Sequence, residues 1–227
     1  MNLLKRGDVI GIISPSWVAD KADYERYAKG IEELGFHVRF GKNIYKDTYK
    51  YTASVSERVD DLNEMIYDEN VRLVFFGGGY GSADLLPYID YKKIKETPKL
   101  FLSYSDGTSI LNAIYANTGI TTYYGQTPGL FDNISEYDRK QFVSHLIDGA
   151  VTAHSSNSDW YTITEGCCEG SLVGGYLLNF VLSLGNSFFP YQTDRNYILF
   201  IEDLDKFQSV QNVSMFLTCI GQSRLMK

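Results

Sequence analysis

Ser105 lies in the run Lys99 to Asn112, KLFLSYSDGTSILN, between a short apolar stretch and a helical pattern. Leu100 to Leu102 follow Pro98 and read as a strand. Ile110, Leu111, Ile114 and Tyr115 recur on one helical face. Between them stand Ser103, Tyr104, Ser105, Asp106 and Gly107, small or turn-prone except for the tyrosine. A strand that bends sharply into a helix through small residues is how α/β hydrolases lift a nucleophilic serine, usually as Gly-x-Ser-x-Gly. Here the pattern is Ser103-x-Ser105-x-Gly107. Free N–H groups of the first helical turn can there stabilise a developing oxyanion, which is acyl-transfer chemistry. The residues also fit a plainer reading, with Asp106 as a helix N-cap and Ser105 as an ordinary turn residue.

Two further groups bear on that chemistry. Gly77-Gly78-Gly79-Tyr80-Gly81 follows the most continuous apolar run of the chain, Val71 to Phe76. A phosphate loop would end in Gly-Lys-Ser/Thr, whereas Ser82-Ala83 follows here. A dinucleotide fingerprint belongs after the first strand, where Ser14-Pro15-Ser16-Trp17 stands. That leaves two readings: a loop whose amides at Gly78, Gly79 and Tyr80 approach a substrate beside Ser105, or a tight turn that needs positive φ. Glu202 ends the strand-like run Tyr197 to Ile201, a position from which an acid can orient a base; capping a helix or pairing with a lysine fits as well. Asp203 and Asp205 read as turn residues. A serine nucleophile needs a base. Of the three histidines, His37 sits on a short strand, His145 on a helix beside Phe142 and Leu146, and His154 in a polar stretch. Each reads as structural or solvent-facing, and none follows Glu202.

The elements that must hold these residues alternate. Val9–Ile13 reads as a buried first strand, Asp23–Leu34 as an amphipathic helix stopped by Gly35, and His37–Phe40 as a second strand. Glu57–Tyr67 is helical in pattern and Val71–Phe76 a third strand. Thr121–Tyr124 reads as a strand and Glu136–Ile147 as a helix. The alternation predicts an α/β fold, a parallel sheet with helices on both faces, with ligands beyond the carboxyl ends of its strands. Residues 150–159, AVTAHSSNSD from Ala150, read as a linker between a domain over 1–149 and a smaller one over 160–227. In the second part, Trp160–Thr164 alternates like a strand. Gly170 to Gly175 is glycine-rich, Tyr176–Leu184 helical, and Val210–Ile220 helical.

Composition narrows the classes. The 227 residues carry a formal charge of −7 and 44% hydrophobic residues, enough for a sizeable core. No Lys/Arg-rich run stands out, which argues against nucleic acid as a partner. Cys167, Cys168 and Cys219 suggest neither a disulfide framework nor a metal site, and fit a reducing compartment. The N-terminus lacks the order of a secretory signal, and no apolar run has the length of a membrane span. The expectation is a cytoplasmic protein without a membrane partner.

Five ordered blocks together resemble the LD-carboxypeptidase family of serine peptidases, which includes the microcin C immunity peptidases. They are Gly7-Asp8-Val9-Ile10 with Ser14-Pro15-Ser16; Gly78-Gly79-Tyr80-Gly81 with Leu85-Leu86-Pro87-Tyr88-Ile89-Asp90-Tyr91; Tyr104-Ser105-Asp106-x-Thr108; Gly170-x-Leu172-x-Gly174-Gly175; and Leu199-Phe200-Ile201-Glu202-Asp203. The resemblance implies a flavodoxin- or amidotransferase-like sheet domain bearing the nucleophile, and a smaller α/β domain bearing Glu and His. It matches Ser105 to the nucleophile, Glu202 to the acid, and the amides of Asp106 and Gly79 to an oxyanion hole. It implies hydrolysis of a small peptide such as a murein tetrapeptide, or of a peptidyl or aminoacyl nucleotide, with no metal or cofactor and a homodimeric state. The chain departs from the pattern in having Ser103 for Gly and Tyr176 for Asn. The family histidine has no counterpart before Lys227, so the expectation is a fragment or a truncated product, of doubtful activity by itself and with an apolar face uncovered. Two rivals stand beside the enzyme reading: a non-catalytic binding remnant, and a glutamine-amidotransferase-like enzyme, which would want Cys where Ser105 stands.

Overall fold

The structure, a computed structural model, describes residues 3–150, 156–190, 195–203 and 208–226. His154, Asp205 and the middle of the expected linker lie outside the described residues.

Five strands form one parallel sheet: β1 (Val9–Ile13), β2 (His37–Phe40), β3 (Val71–Phe76), β4 (Leu100–Ser103) and β5 (Tyr123–Tyr124), in the order β2-β1-β3-β4-β5. β3 is central and apolar on both sides, as a strand covered on both faces must be. Helices α2 (Val55–Tyr67), α3 (Tyr91–Glu96) and α4 (Thr108–Thr118) cover one face, where Leu62, Met65, Ile94, Ile110 and Ile114 close on Ile13, Val74, Phe76 and Phe101. On the other face, α1 (Lys21–Glu33) and α5 (Glu136–Phe142) bury Ile31 and Phe142 against Ile10, Ile12, Leu73 and Phe75. The predicted doubly covered parallel sheet is what forms. Local signals set the helix starts: the Asp20 side chain caps α1, and Ser54 and Glu57 cap α2 reciprocally.

A second sheet pairs β6 (Ser171–Tyr176) with β7 (Tyr197–Glu202) in parallel, with α6 (Leu177–Ser183) between them in sequence and α7 (Val210–Gln222) beyond. α4 lies between the two sheets. Its Ile110, Leu111 and Ile114 belong to the first core, while Tyr115 and Ala116 pack on Val173, Leu177 and Phe180 of the second. The Asn112 side chain fastens this contact from both ends: its Nδ2 donates to the Gly174 carbonyl (2.7 Å), and its Oδ1 accepts from the Gly174 amide (3.2 Å).

Two expectations are corrected. Trp160–Thr164 is irregular and open to solvent, with Ile163 99% exposed. Alternation alone makes no strand: among the described residues, this segment pairs with neither sheet. The strand expected over Thr121–Tyr124 is confined to Tyr123 and Tyr124. Among the described residues, Val210, Met215 and Leu217 of α7 and Leu172 of β6 leave apolar surface exposed. Among the described residues, no helix is long and apolar enough to cross a membrane.

One buried acid in this frame is predicted to leave a pH signature. Asp61 on α2 is 2% exposed, and its carboxylate accepts the amide and the Nδ2 of Asn43. Burial raises its pKa from 3.8 to about 6, against the lowering effect of those bonds. A raised acid binds its proton more tightly when folded. The contribution therefore favours the fold fully below 3.8 and is lost as pH climbs through about 6. Urea unfolding of native chain and Asp61→Asn should show the variant gaining on the native chain across that window. A constant difference between the two would contradict the assignment.

Candidate active site

The sharpest feature of the backbone is Ser105. β4 ends at Ser103, and Ser105 opens the turn into α4 with φ at +54°. A non-glycine residue there costs about 1–2 kcal/mol, so its surroundings must hold it. The Ser105 amide donates to the Tyr124 hydroxyl oxygen (2.8 Å), and Thr108 Oγ1 donates to the Ser105 carbonyl (2.6 Å). Packing does the rest. A Cβ at Gly107 would lie 2.1 Å from Ser103 Oγ, which itself donates to the Phe76 carbonyl (2.8 Å). A Cβ at Gly78 would lie 2.8 Å from the Ser105 Cβ. Glycine at both places lets the loop after β3 touch the serine.

Asp106, next in the chain, is not an N-cap. Its carboxylate is buried and joins three elements. Oδ2 accepts from Ser16 Oγ (2.6 Å), beyond β1, and from the Ser82 amide (2.8 Å), just past the glycine loop; Oδ1 accepts from Asn179 Nδ2 (2.8 Å) on α6. The side chain is therefore spent on construction, and the amide is what remains for binding. The amides of Gly78 and Gly79 have no hydrogen-bond partner among the described residues.

Ser105 opens onto a cleft of about 430 Å³. Gly77, Gly78, Gly79 and Tyr80 line it together with Tyr104, Tyr176, Asp20 and Asp23, and Trp17 and Tyr24 lie against the glycine loop. The cleft sits beyond the carboxyl ends of β1, β3 and β4. The sheet order reverses direction between β1 and β3, which is where ligands bind in open α/β sheets.

Among the described residues, Glu202, the last residue of β7, neither caps a helix nor pairs with a lysine. Its Oε1 accepts from the Tyr124 hydroxyl. One phenol thus links the amide of Ser105 to the acid of the second sheet. Burial, and then the bond to Glu202, raise the Tyr124 pKa far above the ordinary tyrosine value, so the hydroxyl keeps its proton. The structure does not bring either of the described histidines together with this group. His37 lies on β2, and His145 bonds to Gln141 and the Ala150 carbonyl; neither lines the cleft.

Sequence reasoning missed Tyr124, Ser16, Asn179 and Arg58. Arg58 is 3% exposed on the inward side of α2, one turn before Leu62. Its guanidinium donates to the carbonyls of Ala53 (3.1 Å), Pro15 (2.7 Å) and Gly81 (2.8 Å), joining the loops beyond β1 and β3. A charged residue in phase with an apolar face was the available signal.

Comparison with known proteins fits this geometry. The family profile of the LD-carboxypeptidase N-terminal domain matches residues 10–125. The chain belongs to the LD-carboxypeptidase family. It is 33% identical over 209 residues to a probable murein peptide carboxypeptidase of Bacillus subtilis, covering 89% of this chain and 64% of that one. It is 36% identical over 254 residues to the microcin C7 self-immunity protein MccF of Escherichia coli, covering 96% and 72%. The crystal structure of an MccF-like protein from Bacillus anthracis superposes with a TM-score of 0.86 at 31% identity, covering 98% of this chain and 75% of that one. The chain thus spans about two thirds to three quarters of these relatives' lengths.

The Asp106 junction can be tested by stability alone. Asn179→Ala removes the donor to Oδ1 and leaves a buried carboxylate oxygen short of a partner. It should destabilise the fold by about 1–3 kcal/mol in urea titrations. A change within error would mean that the bond contributes nothing.

Proposed function

We propose that this chain carries the serine side of an amide hydrolase. Its substrates are LD-peptide bonds of murein peptides, or a peptidyl or aminoacyl nucleotide of the microcin C kind. Ser105 Oγ attacks the carbonyl while a base accepts its proton. The amides of Asp106 and Gly79 hold the oxyanion. The proton passes to the leaving amine, and water then hydrolyses the acyl-serine. Glu202 orients the base. Gly78 and Tyr80 wall the substrate groove. The observation that carries the reading is the left-handed Ser105 at a strand-to-helix turn, open to the cleft and one phenol away from Glu202. The names of the relatives support both substrate classes. The reading places the nucleophile on residues 1–149 and the acid on 160–227, and includes a cytoplasmic homodimer, as the family resemblance implies.

A second reading, binding without turnover by these 227 residues, is favoured by one observation. Among the described residues, no histidine lines the cleft.

A fluorophosphonate probe and a two-substrate panel separate the readings. Labelling that maps to Ser105 and vanishes in Ser105→Ala, with release of D-Ala from murein tetrapeptide or of the amino acid from an aminoacyl-sulfamoyl nucleotide analogue's amide derivative, supports the hydrolase. Calorimetric binding of either ligand without labelling or release supports the binder. Labelling that survives Ser105→Ala overturns the nucleophile assignment.

A further inference from the structure

We propose that Tyr124 is a positioning residue that sets the nucleophile and the acid in one geometry: its oxygen holds the Ser105 backbone, and its proton holds Glu202. This rests on the reading of Ser105 and Glu202 given above and adds a residue to it.

Three observations carry the proposal. First, β5 is only two residues long, yet its register sets Tyr124 directly beside Ser103 at the carboxyl end of β4, so the strand delivers the phenol to the elbow. Second, the ring is wedged between the two sheets. It packs on Phe200 of β7 with centroids 5.7 Å apart, and a Cβ at Gly175 of β6 would come within 2.8 Å of its Cε2. A ring clamped there has little freedom to move its hydroxyl. Third, the hydroxyl's two roles are both used: it accepts from the Ser105 amide at 2.8 Å and donates to Glu202 Oε1.

Each bond has a consequence for the reaction. With its own amide bound to Tyr124, Ser105 does not contribute that N–H to an oxyanion. The donors are thereby narrowed to the Asp106 amide and the glycine loop. With Oε1 fixed, Glu202 presents Oε2, which has no hydrogen-bond partner among the described residues, in one direction. An acid that orients a base must itself be oriented. The phenol does this across the junction of the two sheets, where no backbone ladder connects them.

The test uses the full chain with 3-fluorotyrosine placed at position 124, alongside Tyr124→Phe, Glu202→Gln and the double variant. The fluorine resonance should move in Glu202→Gln, and its titration should fall toward the ordinary phenol range. Labelling of Ser105 by the fluorophosphonate should slow by about a hundredfold in Tyr124→Phe, measured well below that variant's own melting temperature so that unfolding does not contribute. The double variant should label about as slowly as Tyr124→Phe alone, because loss of the phenol hydroxyl already releases Glu202. A resonance indifferent to Glu202→Gln, or native labelling by Tyr124→Phe, overturns the proposal. Failure of the native chain to label at Ser105 counts against the hydrolase reading instead, and the fluorine titration then decides on the link by itself.

Discussion

The constraint on which the structure turns is the left-handed backbone at Ser105. A side-chain-bearing residue does not stay at positive φ by preference; about 1–2 kcal/mol must be offset by its neighbours. The neighbours that do so come from every strand around it. Phe76 accepts from Ser103, Gly78 and Gly107 give up their side chains for clearance, Thr108 closes the turn, and Tyr124 takes the amide. Substitution at any of these is a substitution at the elbow. The strain places the hydroxyl at the mouth of the cleft rather than along the sheet.

The second sheet is attached to the same turn by polar contacts rather than by apolar area alone. Thr108 Oγ1 accepts the Tyr176 amide (2.9 Å), Asn112 pairs with Gly174, and Asn179 reaches Asp106. Apolar packing tolerates sliding, whereas a directional bond to a named backbone group does not. β6 is bound at Gly174 and Tyr176, and β7 is in register with β6 so that Tyr176 faces Glu202. The position of the acid is therefore set relative to the serine by bonds made several residues away. This explains why buried asparagine and threonine recur on α4 and α6, where leucine would add more burial.

Much of this was legible in the chain. The five strands and the helices on both faces followed from apolar periodicity and turn chemistry, and the doubly covered parallel sheet is what forms; Ser105 and Glu202 were singled out from the turn pattern and the family resemblance, and the structure sets one phenol between them. Other features were hidden for physical reasons. Tyr124 is one of 18 tyrosines, and nothing local separates a bridging phenol from a core one. The role of Asp106 depends on partners 24, 73 and 90 residues away. Local logic offered the N-cap instead, because capping is the commonest use of an aspartate before a helix. The Trp160–Thr164 alternation misled for the opposite reason: the pattern is present, but among the described residues the segment joins neither sheet.

The electrostatics of the cleft follow from the same architecture. Among the described residues, its lining includes Asp20 and Asp23 and no lysine or arginine. A cation beside Ser105 would be drawn to those carboxylates, or would have to be buried against them at a desolvation cost. Neutral backbone amides avoid the conflict. They carry partial positive charge, stay fixed when charge develops, and bring no counter-ion. That choice needs a loop able to bring main chain within reach of the serine, which is what consecutive glycines after β3 permit and what the carbonyl bonds of Arg58 hold still from behind. The buried arginine and the bare glycines are thus two parts of one arrangement: the guanidinium fixes the loop carbonyls, and the glycines leave the main chain close to Ser105.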